Sequence, residues 1–433
     1  MKFRRFLAIL GIVLVSWGGV VFSQPQPWIT RQGRAKVFNA LVGVFEDHYW
    51  DPAYRDWQAW AARYRDSALD AGSRVAFDNI IRRMVGELGD DHSSWLGIVN
   101  HPVGDEAPPA LTPQLGFRQG FLPGVGMVIE RSYQGTPAGD AGLRRGDIIE
   151  QVNGEDVRRL GTPYQANEVM VRAVGAGGDV SLKLKRGLER FSVSLQPEAF
   201  ARAEVEDRPQ GEMLDATTGY LYLPSFSEGV AGEFHRLLAE LQARGAESLV
   251  LDLRGNLGGR LGELGLVLGA FIEGSWADAV SRGELVWRGR YDHEREFGVN
   301  VLEEPDGDVL SLDRVAAPTF FTGPLAVLVD RDNSSAGEIA PLVLQDFGRA
   351  AVIGEPTLGN VEAIQGFELP DGSLVMVAVA NLQGVDGQDF SQGVTPDVLA
   401  VEDLAGLARG FDAPLAEALR YLKNLPFTPG KFF

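Results

Sequence analysis

Cysteine is absent from the 433-residue chain. That removes disulfide staples, thiolate nucleophiles and cysteine-based zinc sites together. Lysine is scarce: it occurs only at Lys2, Lys36, Lys183, Lys185, Lys423 and Lys431, so residues 199–422 contain none. Arginine is too basic to accept a proton, so any general base in that stretch must be another residue type. Histidine is sparse too, at His48, His92, His101, His235 and His293. These are too dispersed for an H-E-x-x-H metal pair, and the glycine-rich run Gly255–Gly259 lacks the Lys-Ser/Thr of a phosphate loop. No metal or other cofactor is expected. Positive charge is outnumbered, with 40 Lys and Arg against 59 Asp and Glu for a net charge of −19. Such a chain is a poor partner for nucleic acid, whose binding depends on cations displacing counterions.

Long apolar runs are missing except at the N-terminus. Lys2, Arg4 and Arg5 precede an apolar stretch from Phe6 to Phe22. This is the pattern of an export signal, with Val21-Phe22-Ser23 as a weak cleavage site. The stretch is also just long enough to act as an uncleaved membrane anchor. Residues 1–23 are therefore a signal peptide or anchor, and the remainder is expected in the periplasm, the cell envelope or outside the cell.

The length suggests two to four domains at roughly 100–200 residues each. Residues 24–113 form the first region, carrying His92. Within it, 33–100 reads as helical: Val37, Leu41, Val44 and Phe45 recur at helical spacing, as do Phe77, Ile80, Ile81, Met84 and Leu88. Residues 114–197 change to period-2 patterns, with Val180, Leu182, Leu184 and then Phe191, Val193, Leu195. Asn153-Gly154 is a hairpin signal. With the run Ala141-Gly142-Leu143-x-x-Gly146-Asp147-x-Ile149, this segment resembles a PDZ domain. Leu115, Gly116 and Phe117 match the loop with which such domains hold a chain terminus. From 198 to 433 strands and helices alternate, which argues for a layered α/β core.

Four segments of that core could carry chemistry. Asn333-Ser334-Ser335-Ala336-Gly337-Glu338 lies between a buried strand and a helix. A serine on such a turn is exposed beside free helix N–H groups that can stabilise an oxyanion. Ser335-x-x-Glu338 is equally a capping box. Asp252-Leu253-Arg254-Gly255-Asn256-Leu257-Gly258-Gly259 ends a strand in glycines that permit close backbone approach. Gly354-Glu355-Pro356-Thr357-Leu358-Gly359-Asn360 and Gly393-Val394-Thr395-Pro396-Asp397 complete the set.

In this order, the segments resemble the C-terminal-processing (tail-specific) serine peptidases and their tricorn-protease relatives. The resemblance covers nearly the whole chain after the N-terminal segment. It implies an α/β fold: a helical N-terminal region, an inserted PDZ domain and a layered core of the crotonase-like type. It implies Ser335 as nucleophile, and Gly258 and Ala336 N–H groups as oxyanion hole, with Gly259 a near alternative. Where the processing peptidases carry the lysine of a Ser–Lys dyad, this chain has Asn360, which cannot take the serine proton. The tricorn-like branch uses a histidine from before the core, and Leu88-Gly89-Asp90-Asp91-His92-Ser93 resembles its pattern. His92 is then the base or, as in lysine-using relatives, a structural residue. A histidine base needs an orienting acceptor; Glu362, Asp91 and Ser93 are candidates, and Asn360 lines the site. The other four histidines are expected at the surface.

The implied function is an exported serine endopeptidase acting on polypeptide substrates, selected by their free C-termini through the PDZ segment. A membrane tether through the N-terminal segment and a homo-oligomer are compatible with it. The rival is a catalytically inactive, peptidase-like binding or adaptor protein.

Overall fold

The computed structural model describes residues 30–90, 92–98, 112–200, 205, 207–294 and 296–424. The signal or anchor segment lies outside the described residues, as do Asp91 and His101.

The chain opens with three helices, α1 (Arg31–His48), α2 (Trp57–Leu69) and α3 (Arg74–Gly86). Each starts where a side chain satisfies an orphan N–H: Thr30, Asp56 and Ser73 accept from Gly33, Ala59 and Ala76. Their apolar faces meet in an aromatic cluster, Phe45 stacking on Trp57 and meeting Trp60 edge-on. This cluster packs on Trp95, Val375 and Val377 of a sheet. The helical expectation for 33–100 therefore fails at its end. Ser94–Ile98 is a strand, paired with Ser373–Gln383. Its short alternating stretch is too brief to outvote the helices before it.

The next unit is a PDZ fold. Strands Phe117–Leu122, Gly126–Ser132, Ile148–Val152, Val180–Arg186 and Glu189–Leu195 pair antiparallel in that spatial order. Helix Pro163–Gly175 lays Val169, Met170 and Ala173 on Met127, Ile149, Leu182 and Leu184. Asn153 and Gly154 both take positive φ, 47° and 84°, as a tight hairpin turn requires.

The core holds two sheets. Strands Thr218–Tyr222, Ser248–Asp252, Leu325–Val329, Ala351–Gly354 and Val398–Leu399 are parallel neighbours, and Gln210–Met213 adds an antiparallel edge. Leu249–Asp252 and Leu325–Val329 are buried throughout, as parallel strands covered on both faces must be. The alternation of strands and helices expected over this region holds for that sheet alone. Residues 274–316 and 362–383 instead build six strands of an antiparallel sheet, to which Ser94–Ile98 adds the seventh. Its strands escape a sequence reading because they are half-exposed. Glu284–Glu294, for example, alternates buried Trp287, Gly289 and Tyr291 with Arg288, Arg290 and Asp292.

One histidine expected at the surface is in the core. His235 is 1% exposed. Its Nδ1 accepts the Thr319 N–H at 3.0 Å and its Nε2 donates to the Leu266 carbonyl at 3.0 Å. Burial lowers its pKa, so it packs as a neutral ring.

The PDZ unit is bolted to the core by a buried ion network. Arg131 of the PDZ sheet donates to Tyr220 and Asp252 at 3.0 and 3.3 Å and lies 3.5 Å over the Tyr222 ring. Asp252 also accepts from Arg254, whose other arm reaches Glu402 and Asp412 at 2.8 and 2.9 Å. Arg145, again from the PDZ unit, pairs with the same Glu402 and Asp412. Burial alone would raise the Asp252 pKa; the Arg254 and Arg131 guanidiniums outweigh it and hold the carboxyl far below the usual range. Replacing Asp252 by Asn leaves buried Arg131 without a carboxylate and takes one of three from Arg254. We expect Asp252→Asn to lose about 3–5 kcal/mol in urea unfolding; a change below about 1 kcal/mol would show the network to be marginal.

Candidate active site

Ser335 ends the turn after strand Leu325–Val329 and precedes helix Ala336–Asp346. Its backbone sits at φ 53°, ψ −130°, a region L-residues avoid at a cost of about 1–3 kcal/mol. Neighbours over-determine it. The Ser335 N–H donates to the Asn360 carbonyl at 2.7 Å, and the Ser334 N–H donates to the Asn256 carbonyl at 3.1 Å. Asn333, 2% exposed, donates from Nδ2 to the Leu253 and Gly337 carbonyls at 2.7 and 3.2 Å. Its Oδ1 accepts the Asp330 N–H at 2.8 Å.

The capping-box alternative does not hold. The Ser335 side chain makes no cap hydrogen bond. Glu338 turns away from the helix start: its Oε1 and Oε2 accept the Gly359 and Asn360 N–H groups, both at 2.7 Å. The serine hydroxyl is left without a hydrogen-bond partner among the described residues.

Ala336 is the first helical residue, and its N–H has no acceptor among the described residues. Gly258 packs directly against it: a Cβ at 258 would lie 2.7 Å from Ser335 Cβ and 2.9 Å from Ala336 N. However, the Gly258 N–H already donates to Asn256 Oδ1 at 2.8 Å. The expected pair of free donors is therefore incomplete in this arrangement, because Asn256 occupies one of them. Gly259 N–H has no such acceptor among the described residues, and its φ of 146° excludes any side chain.

His92 and Glu362 belong to the other sheet. Strand Ser373–Gln383 lies between them, pairing with Ser94–Ile98 on one edge and Glu362–Glu368 on the other. Across it, His92 Nδ1 comes within 3.0 Å of Glu362 Oε2, with both side chains almost buried. The contact is an ion-pair distance without good hydrogen-bond alignment. Burial pulls the His92 pKa down, but the Glu362 and Asp90 carboxylates outweigh it and leave it raised. Asp90 shapes the turn by accepting the His92 and Ser93 N–H groups at 3.2 and 2.7 Å and the Tyr49 hydroxyl at 3.0 Å. Ser93 turns to Asp90 and the Ala378 N–H rather than to the imidazole.

Ser335 and His92 are not hydrogen-bonded to each other. They are linked through the loop between them: Asn360 holds the Ser335 N–H, and Glu362, two residues on, holds His92. Asn360 also lines a shallow cleft with Ser334, Leu257, Leu358, Gly255 and Arg118 of the PDZ unit. Of the PDZ residues, Leu115 is in that unit's core and Phe117 opens its edge strand. Gly116 takes φ 84°, and a Cβ there would meet Thr136 at 2.1 Å. The positioning contacts of Asn256, Asn333 and Glu338, residues named only as members of motifs, escaped the sequence reading. Their signal was present, as polar residues inside apolar or glycine-rich runs, but each partner is distant in sequence.

With this geometry in hand, the chain matches the sequence pattern of peptidase family S41 over residues 217–400. It also matches the PDZ domain over 128–168 and the tricorn protease C1 domain over 30–86. It is 30% identical to a carboxyl-terminal-processing protease of Picosynechococcus sp., covering 67% of this chain and 67% of that protein. It is 27% identical to the carboxy-terminal processing protease CtpA of Bacillus subtilis, over 92% of this chain and 78% of the relative. Among solved structures, a putative S41 protease from Bacteroides fragilis shares the fold. The TM-score is 0.56 at 17% identity, over 90% of this chain and 98% of that one.

The crowding at Gly258 makes a prediction. Gly258→Ala adds a Cβ inside contact distance of Ser335 at a φ of 97°. We expect a loss of about 1–3 kcal/mol in chemical denaturation, the cost of such a strained backbone. An unchanged midpoint would mean that the Ser335 turn yields freely.

Proposed function

Because the chain belongs to the carboxyl-terminal-processing peptidases of family S41, and so is a serine-type peptidase, we propose that it is an exported endopeptidase using a Ser335–His92–Glu362 triad. The single observation that carries this reading is the His92–Glu362 contact, 3.0 Å long, in a site where Asn360 replaces the lysine base. Glu362 faces Nδ1, which leaves Nε2 for the serine. Ser335 Oγ attacks the scissile carbonyl as His92 takes its proton. The negative charge that develops on the carbonyl oxygen is met by the Ala336 N–H and by Gly259, or by Gly258 once Asn256 lets it go. Collapse expels the amine, protonated by His92. Water, deprotonated by the same ring, then hydrolyses the acyl-enzyme.

Polypeptide substrates reach the site through the PDZ unit. Among the described residues its strand Phe117–Leu122 pairs only with Gly126–Ser132, which leaves one edge to receive an extended chain end. Loop Leu115-Gly116-Phe117 grips the terminal carboxylate. Arg118, next in the chain, lines the cleft beside Ser334, so a chain end held there lies close to the nucleophile. The basic and apolar N-terminal segment directs export and supplies a tether if it is retained.

Two tests follow. Ser335→Ala should abolish hydrolysis of an unfolded protein, and His92→Ala should lower turnover about 10⁴-fold. Wild-type activity should fall as pH drops through the His92 pKa, with the acid limb above the ordinary histidine value near 6.5. A fully active His92→Ala enzyme overturns the base assignment. For the PDZ unit, a peptide with a free C-terminus should bind the full chain at least about tenfold more tightly than its amide, by calorimetry. Equal affinities would remove carboxylate recognition.

A further inference from the structure

Glu338 is 0% exposed, in the first turn of the helix that follows Ser335. A buried carboxylate is costly unless its oxygens are satisfied. Here each oxygen has one partner, and the two partners are successive backbone N–H groups, Gly359 and Asn360, at 2.7 Å. The helix N-terminus adds a favourable partial positive charge. No other acidic or amide side chain reproduces this fork at the same length: Gln offers one acceptor where two are needed.

What the fork grips matters more than its own stability. The Asn360 peptide presents its N–H to Glu338 and its carbonyl to the Ser335 N–H at 2.7 Å. Two residues further, Glu362 meets His92. The loop is fixed upstream as well, Thr357 Oγ1 accepting the Val394 N–H at 2.8 Å and Gly359 fitting against the Ser391 carbonyl. Between these anchors, Glu338 is the side chain that ties the loop to the nucleophile's helix.

We propose that Glu338 is a positioning residue: its carboxylate fixes the Gly359–Asn360 peptides so that one loop holds the Ser335 backbone and aims Glu362 at His92. It touches neither substrate nor reacting atoms. The proposal rests on the serine–histidine reading above and extends it to the group that sets the distance between its parts.

The test is the Glu338→Gln variant of the full chain, compared with wild type and Ser335→Ala. Fluorophosphonate labelling and turnover of a short fluorogenic peptide are measured across pH. In Glu338→Gln an amide N–H₂ faces a backbone N–H, so the loop shifts. We expect kcat to fall about 10–100-fold with KM within about twofold. The acid limb should also move to lower pH, because Glu362 no longer raises the His92 pKa; Asp90 remains beside the ring and Tyr49 remains on Asp90. Glu338→Asp, which keeps both acceptors on a shorter stem, should recover part of kcat and of the pH shift. Wild-type kcat and an unmoved acid limb in Glu338→Gln overturn the positioning role. So does a kcat loss with an unmoved limb, or a Glu338→Gln chain that does not fold, since either makes Glu338 a stability residue alone. A wild-type enzyme that is neither labelled at Ser335 nor silenced by Ser335→Ala refutes the serine reading itself, a different outcome from these.

Discussion

A serine held at φ 53° is where the two halves of the peptidase core meet, and the loops around it are arranged to prevent its relaxation. The conformation is unfavourable by itself, so it persists only while several independent contacts agree on it. Asn333 ties the turn to the Leu253 carbonyl, Asn256 holds the Ser334 N–H, and Asn360 holds the Ser335 N–H. Gly258 supplies the space that a side chain would fill. The benefit is geometric. A serine in a relaxed turn could cap its own helix, as the S-x-x-E pattern invites; in this turn its hydroxyl makes no cap hydrogen bond.

The site is divided between two sheets. Ser335, the proposed nucleophile, stands on the turn after a parallel strand, and His92, the proposed base, just before an antiparallel one. Neither sheet can place both. The loop after Ala351–Gly354 leaves the parallel sheet and enters the antiparallel one at Glu362, and it touches both Ser335 and His92. Its peptides are therefore the natural place for the contacts that set the spacing of Ser335 and His92. The PDZ unit adds a third body, fixed through Arg131 to Asp252, the last residue of the strand that leads into the Asn256–Gly259 turn. A contact chain thus runs from the PDZ unit through Asp252 to a turn that packs against Ser335.

Local chemistry was legible in the sequence wherever one segment carries its own explanation. The hairpin at Asn153-Gly154, the buried strand Leu325–Val329 and the helix from Ala336 needed no distant partner. Glu338 was visible as a motif, yet its role was not: a capping box and a loop clamp share one pattern, and the partner is 21 residues away. His92 and Glu362 could be named as residue types suited to base and orienter, but only the register of three strands brings them together. Asp252 was visible only as part of a glycine-rich motif, and its pairing with Arg131, 121 residues away, had no sequence signal. The antiparallel sheet was missed because half-exposed strands carry charges at alternate positions and dilute the apolar signal.

The scarcity of lysine and the absence of cysteine then take on a physical meaning. The cations buried beside the Asp252–Gly259 segment are arginines, whose charge does not change at any physiological pH. Their carboxylate partners Asp252 and Asp412 are held below the usual range by those same guanidiniums, after burial has pushed the other way. Asp252 and Asp412 therefore stay charged around neutral pH, and their pairing with the arginines persists there. His235 is buried neutral and far along the chain, bound to backbone on both ring nitrogens. His92 differs: it has a carboxylate at Nδ1, no hydrogen-bond partner at Nε2 among the described residues, and a pKa moved upward. In the proposed mechanism His92 is the group that gains and loses a proton in each turnover, while the arginine–carboxylate network at the Asp252–Gly259 segment keeps its charge.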